Sequence, residues 1–404
     1  MRRVYLDHNA TTPLAPEVFE AMKPYLMDGF GNASSVHAWG QEARAAVEEA
    51  RESVARLLNA SPGEIVFTSG GTESDNTALF GMIEAAVPRL AGRKPHLVTT
   101  AIEHPAVLNA AQALEKRGAA VTFARPGSEG VVDPAEIERA LTPETALISV
   151  MHANNELGTL QPIEEIGRIA QERGIPLHTD AVQSVGKVPL DVRKMGVRLL
   201  SLSAHKINGP KGVGALYVRK GTPFRPLLYG GHHERDRRPG TENVPGIVGL
   251  GKAAELALAH GREEAARIGA LRDRLEQGIL NTIPLATVNG ARDRRLLSTL
   301  NITFAFVEGE AFVIAADLRG LGCSTGSACA SGSLEPSHVL SAIGKTKEEA
   351  RSTVRFSLGS TTTSEDIGYA LGVVAEVTAR LRSLSPLYKA EPAGIYSNAQ
   401  SEPS

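Results

Sequence analysis

The chain has 404 residues, 42% of them apolar and 22% charged, and its formal net charge is −2. That length exceeds one small core and implies two domains in one compact subunit of an ordinary soluble enzyme. The near-neutral balance gives no basis for nucleic acid or an anionic membrane as partner, and no apolar run reaches the length of a bilayer span.

From the N-terminus, Met1-Arg2-Arg3-Val4-Tyr5-Leu6-Asp7 turns polar too soon to hold the apolar core of a signal peptide, so the expected compartment is the cytoplasm. Through the first two-thirds of the chain, short apolar runs alternate with amphipathic stretches, the rhythm of βα units in an α/β fold. Ile65-Val66-Phe67 reads as a strand, followed by a Ser69-Gly70-Gly71-Thr72 turn and a helix from about Glu73 to Ala86. Leu97-Val98-Thr99-Thr100 is a second strand, ending at Glu103-His104-Pro105. Ala146 to Met151 forms a third, ending at His152-Ala153-Asn154-Asn155. Ile175-Pro176-Leu177-His178 leads into Asp180, and Leu199-Leu200-Ser201-Leu202 leads into Ser203-Ala204-His205-Lys206. Gly214-Ala215-Leu216-Tyr217-Val218 follows so closely that it must run back antiparallel. A long helical stretch from about Val248 to Leu280 then links to a smaller α+β domain. The expected division is an N-terminal arm over 1–14, a large cofactor-binding domain over 15–259, a small C-terminal domain over 260–387 and a disordered tail over 388–404.

His104, Asn155, Asp180, Ser203, His205 and Lys206 all fall just after the carboxyl ends of strands, the edge where open α/β sheets bind ligands. A lone lysine is usually a solvated surface residue. Lys206 instead follows an apolar strand and precedes a tight Ile207-Asn208-Gly209-Pro210 turn. Partial burial lowers a lysine's pKa and makes it a nucleophile toward aldehydes, as in a Schiff base with pyridoxal phosphate. Asp180 reads as a helix N-cap on the bland view. Beside Lys206 it equally suits the carboxylate that keeps a pyridine nitrogen protonated. Gly71 and Thr72 open a helix whose free N–H groups face outward, and Ser203 and His205 could complete a phosphate cup around them.

Neither Ile343-Gly344-Lys345-Thr346 nor the turn after Gly209 has the glycine spacing of an ATP or dinucleotide site. The chain has two cysteines, Cys323 and Cys329, too close together for a useful disulfide and without a second ligand pair for zinc. Cys323 takes the ordinary reading, a small buried apolar residue. Cys329 lies in Ser324-Thr325-Gly326-Ser327-Ala328-Cys329-Ala330-Ser331-Gly332-Ser333, which holds no anchor for a core. It reads as a thiol on an accessible loop, able to meet a bound substrate and then solvent.

These residues, in this order, resemble the group I cysteine desulfurases of the nitrogen-fixation and iron–sulfur-cluster type, within the class-V aminotransferases. The resemblance runs from Tyr5-Leu6-Asp7-His8-Asn9-Ala10-Thr11-Thr12-Pro13 to about Thr363. It includes Phe30-Gly31-Asn32-Ala33-Ser34-Ser35-Val36-His37, Thr68-Ser69-Gly70-Gly71-Thr72-Glu73, Glu103-His104-Pro105 and His152-Ala153-Asn154-Asn155-Glu156. Asp180-Ala181-Val182-Gln183, Ser203-Ala204-His205-Lys206, Arg237-Arg238-Pro239-Gly240-Thr241, Gly326-Ser327-Ala328-Cys329 and Arg355-Phe356-Ser357-Leu358-Gly359 complete it.

The resemblance implies an α/β fold-type I pyridoxal-phosphate-dependent transferase, with a mostly parallel seven-stranded sheet in its large domain, active as a homodimer. It implies that Lys206 binds the cofactor aldehyde and moves the substrate's Cα proton, His104 stacks on the ring, Asp180 pairs with the ring nitrogen and Gln183 with the phenolic oxygen. Gly71, Thr72, Ser203, His205 and Thr241 of the second subunit would hold the phosphate, and Asn155 and Arg355 the carboxylate of L-cysteine. Cys329 would take the sulfur as a persulfide and pass it to an iron–sulfur scaffold or another sulfur-acceptor protein. Gly231-His232-His233-Glu234 and Pro239 depart from the family pattern without touching these positions. A selenocysteine lyase or other aminotransferase would share Lys206 and Asp180 but needs no cysteine loop. A non-catalytic sulfur-relay subunit would have lost the lysine, aspartate or arginine. A metal hydrolase built on His104, His152, His178 and His205 lacks ligand spacing.

Overall fold

A computed structural model of the chain describes residues 2–325, 336–386 and 388; Cys329 and the expected tail, apart from Tyr388, lie outside them. Its strands in chain order are β1 (Val4–Tyr5), β2 (Ile65–Thr68), β3 (His96–Thr100), β4 (Ala120–Ala124), β5 (Thr145–Ser149) and β6 (Leu177–Asp180). There follow β7 (Leu199–Ser203), β8 (Gly214–Val218), β9 (Ala286–Val288), β10 (Thr299–Phe304), β11 (Leu321–Gly322) and β12 (Thr353–Ser357).

Seven strands form the large sheet in the order β2-β8-β7-β6-β5-β3-β4. All its pairs are parallel except those of β8, which runs antiparallel to both β2 and β7, as the short connection after Lys206 requires. Strands β2, β3, β6, β7 and β8 are buried at every position, the pattern of strands covered on both faces. One face is covered by the helix Gly71–Ala86, whose Leu79, Met82 and Ile83 are buried with Leu97, Leu147 and Leu216. The other packs under the helices Ala38–Leu58 and Val244–Thr282.

Three elements differ from the sequence reading. The edge strand β4, Ala120-Val121-Thr122-Phe123-Ala124, was not named from the sequence; its run is mostly apolar, but its first four positions are exposed or half-buried. Val150 and Met151 are as buried as β5, but Met151 N–H leaves the ladder to donate to Glu103 Oε1 at 2.9 Å, so the strand stops at Ser149. The helix expected at Glu73 begins at Gly71, because Ser74 N–H already bonds to Gly70 O at 3.1 Å.

A second, antiparallel sheet of order β12-β10-β9 packs Leu300, Ile302, Phe304, Val354 and Phe356 against Leu275, Ile279 and the helix Ser364–Leu384. Cys323 is buried in that core, where loss of solvation holds its thiol well above the usual range. The N-terminal arm joins the two halves. β1 pairs with β11, and Leu6 and His8 bracket Ser357 of β12 through Ser357 N–Leu6 O at 2.8 Å and His8 N–Ser357 O at 3.1 Å. A few residues on, Thr12 N donates to His205 O and Ala15 N to Asn208 O, both at 3.0 Å. The arm therefore crosses the carboxyl edge of the large sheet where Lys206 emerges.

Candidate active site

Lys206 closes a short 3-10 turn, Ala204–Lys206, directly after β7. Its Nζ donates to Asn9 O at 2.5 Å and Ala10 O at 2.8 Å, so the arm holds the ammonium over the sheet edge. Next in the sheet, β6 delivers Asp180, which is 5% exposed and accepts Val182 N–H on Oδ1 at 2.9 Å. Burial raises the Asp180 carboxyl, against the pull of the Val182 N–H and the Lys206 charge. Asp75, buried beneath it on the helix Gly71–Ala86, is pushed up further by burial and by Asp180 itself, against Ser201, and its Oδ1 lies 3.6 Å from His178 Nε2. Two carboxylates so placed do not both ionise. Burial favours the proton on Asp75 over Asp180, which leaves Asp180 the more acidic of the two at the cleft.

His104 caps the helix Pro105–Lys116, with Nδ1 accepting Ala106 N–H at 3.1 Å. That bond places the ring proton on Nε2, and burial, then the Lys206 and His338 charges, lowers the ring to about 4, so it stays neutral. Gln183 reaches back from the turn after Asp180 and donates Nε2–H to Asn9 O at 2.9 Å. Gly70 has φ 152° and ψ −176°, a conformation reserved for glycine, and a Cβ on Gly214 would sit 2.7 Å from Gly70 Cα. The backbone here is bare by construction. A Cβ on Gly71 would stand 3.8 Å from Ser203 Cβ, which puts the end of β7 beside the helix opening. Thr72 is exposed at that opening, and His205 Nδ1 is 3.1 Å from Thr11 Oγ1 of the arm. Thr241 is exposed too, on a loop docked by the Arg238–Glu73 ion pair at 2.8 Å.

The small sheet contributes Arg355, 2% exposed, from the middle of β12. Its Nη2 donates to Asp7 Oδ1 at 2.6 Å and its Nη1 to Asn155 O at 2.8 Å, while Nε has no partner among the described residues. Asn155 and Arg355 are thus brought together, through the asparagine backbone. The Lys206, Asp180, Gln183, Ser203, His205 and Gly71 positions share one edge, and Arg355 reaches it from the other sheet.

Several residues here were not singled out in the sequence. Asp7, Asn9 and Glu103 lie within quoted motifs but carry no chemical signal of their own; Asp75 and Lys187 sit within about a turn of motif positions. His178, read as the approach to Asp180, is wholly buried between Ser149 Oγ at 2.9 Å and Ser201 Oγ at 3.0 Å, and burial lowers it to about 3. No group of three or more metal-ligating side chains occurs among the described residues.

Glu103 makes a prediction of its own. It is 0% exposed, its Oε1 accepts from Thr100 Oγ1 at 2.7 Å and from Met151 N, and its Oε2 has no partner among the described residues. Burial first, opposed by those two donors and reinforced by Asp180, raises it from 4.5 to about 8. Since the unfolded chain releases this proton near 4.5 and the folded one keeps it to about 8, stability falls as pH rises through that interval. Glu103→Gln has no proton to release. Its melting temperature should differ little from wild type at pH 5 and exceed it at pH 8; an equal difference at both would mean Glu103 ionises normally.

The pieces fit pyridoxal phosphate: a lysine amine, a buried acid for a ring nitrogen, a neutral imidazole and a bare glycine backbone at a helix opening for an anion. Comparison with known proteins agrees. The chain is 51% identical over 390 residues to "Cysteine desulfurase IscS" of Dictyoglomus turgidum, covering 96% of this chain and 98% of that one. Among solved structures, a "NIFS-LIKE PROTEIN" superposes with a TM-score of 0.87 at 38% identity, over 94% of this chain and 100% of the other. "SspA in complex with cysteine" gives 0.78 at 44% identity, over 88% and 98%. The family model for Aminotransferase class-V matches residues 4–369, and with that match and these relatives the chain belongs to the class-V aminotransferase family.

Proposed function

We propose that this protein is a pyridoxal-phosphate-dependent cysteine desulfurase, which converts L-cysteine to L-alanine and passes the sulfur, through Cys329, to an acceptor protein. The observation that carries it is the meeting of Lys206, Asp180 and the Gly70–Gly214 backbone at one sheet edge with Arg355 arriving from the small sheet, in a chain half identical to a named cysteine desulfurase.

When bound, pyridoxal phosphate supplies an aldehyde for amines and a ring that withdraws electrons from the substrate's Cα. Lys206 Nζ would hold the cofactor's aldehyde and, as a free amine, take the substrate's Cα proton. Asp180 would accept the ring nitrogen's proton in a hydrogen bond and so keep the ring electron-withdrawing. His104, neutral across the working pH range, offers its ring face for stacking without adding charge. Gly71, Thr72, Ser203 and His205 bind the phosphate, joined by Thr241 of a second subunit in a homodimer. Arg355 and Asn155 bind the substrate carboxylate, for which a guanidinium fork is suited. The Cys329 thiolate takes the substrate's sulfur: its S–S bond forms as the substrate's C–S bond breaks, and the electron pair of that bond stays with the carbon fragment that leaves as alanine. The persulfide then goes to an acceptor, for which an iron–sulfur scaffold is the reading the relatives' names favour.

The test is to measure alanine and sulfide from L-cysteine with a reductant, for wild type and Cys329→Ser. Matched products from wild type, lost in the variant while its yellow colour persists, support the whole reading. A variant as fast as wild type removes Cys329 from it, and a yellow wild type that leaves cysteine untouched overturns the desulfurase.

A further inference from the structure

The turn after β6 carries a second lysine toward the site. Ser184 N and Val185 N both bond to Ala181 O, at 3.0 and 2.9 Å, and Lys187 N bonds to Ser184 O at 3.0 Å, so the chain winds helically from Asp180. In such a turn, residues four apart share one side. Gln183 and Lys187 are that pair, and Lys187 Nζ donates to Gln183 Oε1 at 3.3 Å. Gly186 makes the return possible: its φ is 73°, and a Cβ there would press on Ile207 Cγ2 at 2.9 Å and Ala257 Cβ at 3.0 Å.

The far end of the same amide is committed as well. Gln183 Nε2 donates to Asn9 O at 2.9 Å, the carbonyl that also accepts Lys206 Nζ. A chain of contacts thus runs from Lys187 through the Gln183 amide to the Asn9 carbonyl and on to Lys206.

We propose that Lys187 is a positioning residue of this site: its ammonium grips the Gln183 carbonyl oxygen and so dictates that the NH2 end of the amide faces Asn9 O and Lys206. An amide with a free oxygen end can turn over, and a carboxamide oxygen turned toward Asn9 O would repel it. This rests on the pyridoxal-phosphate reading, in which Gln183 is the donor to the cofactor's phenolic oxygen.

The electrostatics act in the same direction. Lys187 lines a cavity of about 390 Å3 together with Lys206, His8, His260, Glu17 and Glu264. Burial, then the Lys206 and Arg355 charges, lowers Lys187 to about 7, and Lys187 in turn is one of the charges that hold His8 and His205 near 4. Below about pH 7 Lys187 is therefore a cation, and it disfavours a second cation at the neighbouring nitrogen of Lys206. A fixed donor on a phenolic oxygen also disfavours the protonated linkage. Both effects lower the pH at which bound cofactor loses its yellow band.

The experiment titrates that absorbance in wild type, Lys187→Met, Lys187→Arg, Gln183→Ala and the Lys187→Met/Gln183→Ala double variant, each loaded with pyridoxal phosphate, and measures the cofactor's Kd. Lys187→Met should move the midpoint up by about one pH unit, as expected for losing a like charge at close range, and weaken the cofactor. Lys187→Arg, which keeps charge and donor, should return both toward wild type. In the Gln183→Ala background the Lys187→Met shift should shrink, because part of it acts through the amide. An unmoved midpoint in Lys187→Met overturns the proposal while leaving the cofactor reading intact. A full shift with and without Gln183 also overturns it, since the lysine would then act by charge alone. A wild type that takes up no pyridoxal phosphate overturns the site reading and the proposal together.

Discussion

Lys206→Ala is expected to abolish desulfuration, with alanine release from L-cysteine falling at least about a thousandfold, since a positioned general base alone contributes roughly 10²–10⁴. The variant also loses the covalent hold on the cofactor, so its yellow band should vanish on dialysis. One ambiguity has to be removed. Lys206 Nζ bonds the arm at Asn9 O and Ala10 O, so the alanine variant loosens the arm as well as the chemistry. Lys206→Arg keeps donors for both carbonyls but cannot form the imine or take the proton at neutral pH. It should be as inactive as Lys206→Ala while melting close to wild type. Appreciable turnover by Lys206→Arg would mean that another group moves the Cα proton.

The second large effect is expected at Arg355, where binding and stability are coupled. The guanidinium is 2% exposed and ties three parts of the chain together: β12, the arm through Asp7 and the Asn155 turn. Arg355→Ala leaves the Asp7 carboxylate and the Asn155 carbonyl without their donor. Breaking a buried pair from one side costs about 3–5 kcal/mol, and the 17% exposure of the Asp7 side chain places this case at or below the lower end. If Arg355 also binds the substrate carboxylate, KM for L-cysteine should rise by about ten- to a hundredfold, the worth of one charge-assisted hydrogen bond. Two variants separate these roles. Asp7→Asn should lower the melting temperature without raising KM, because it removes the arginine's protein partner and not its charge. Arg355→Lys keeps the charge without the fork and should retain more stability than affinity. A wild-type KM in Arg355→Lys would remove the arginine fork from substrate recognition.

Much of this site was legible along the chain, and the reason lies in how strands end. A strand buried on both faces is a continuous apolar run, and the first polar residues after it mark the carboxyl edge. Ser203, His205 and Lys206 around the end of the mostly apolar β7 announce themselves this way. Strand β6, by contrast, is Leu177-His178-Thr179-Asp180, and Asp180, its own last residue, is signalled only by the Ile175-Pro176-Leu177 approach. The Ser69-Gly70-Gly71-Thr72 turn before a helix likewise carries its anion-binding character in local composition. Strand β4 was not among the strands read from the sequence, although Ala120-Val121-Thr122-Phe123-Ala124 is mostly apolar. The family could be recognised from the order of these local signals alone.

What the sequence could not supply is every contact that depends on two distant segments meeting in register. Asp7 meets Arg355 only because Leu6 and His8 bracket Ser357 of β12. Lys206 meets Asn9 O only because the arm then turns across the large sheet and is pinned at Thr12 and Ala15. Asp75 shares buried space with Asp180 because the helix Gly71–Ala86 lies across the sheet, and their proton follows from that shared burial rather than from either residue's neighbours in sequence. Local sequence determined which residues stand at the edge of a sheet. The tertiary structure decided which acid keeps its proton, which carbonyl holds the lysine and which cation faces which amide, because those depend on charge and desolvation between groups that no local pattern records.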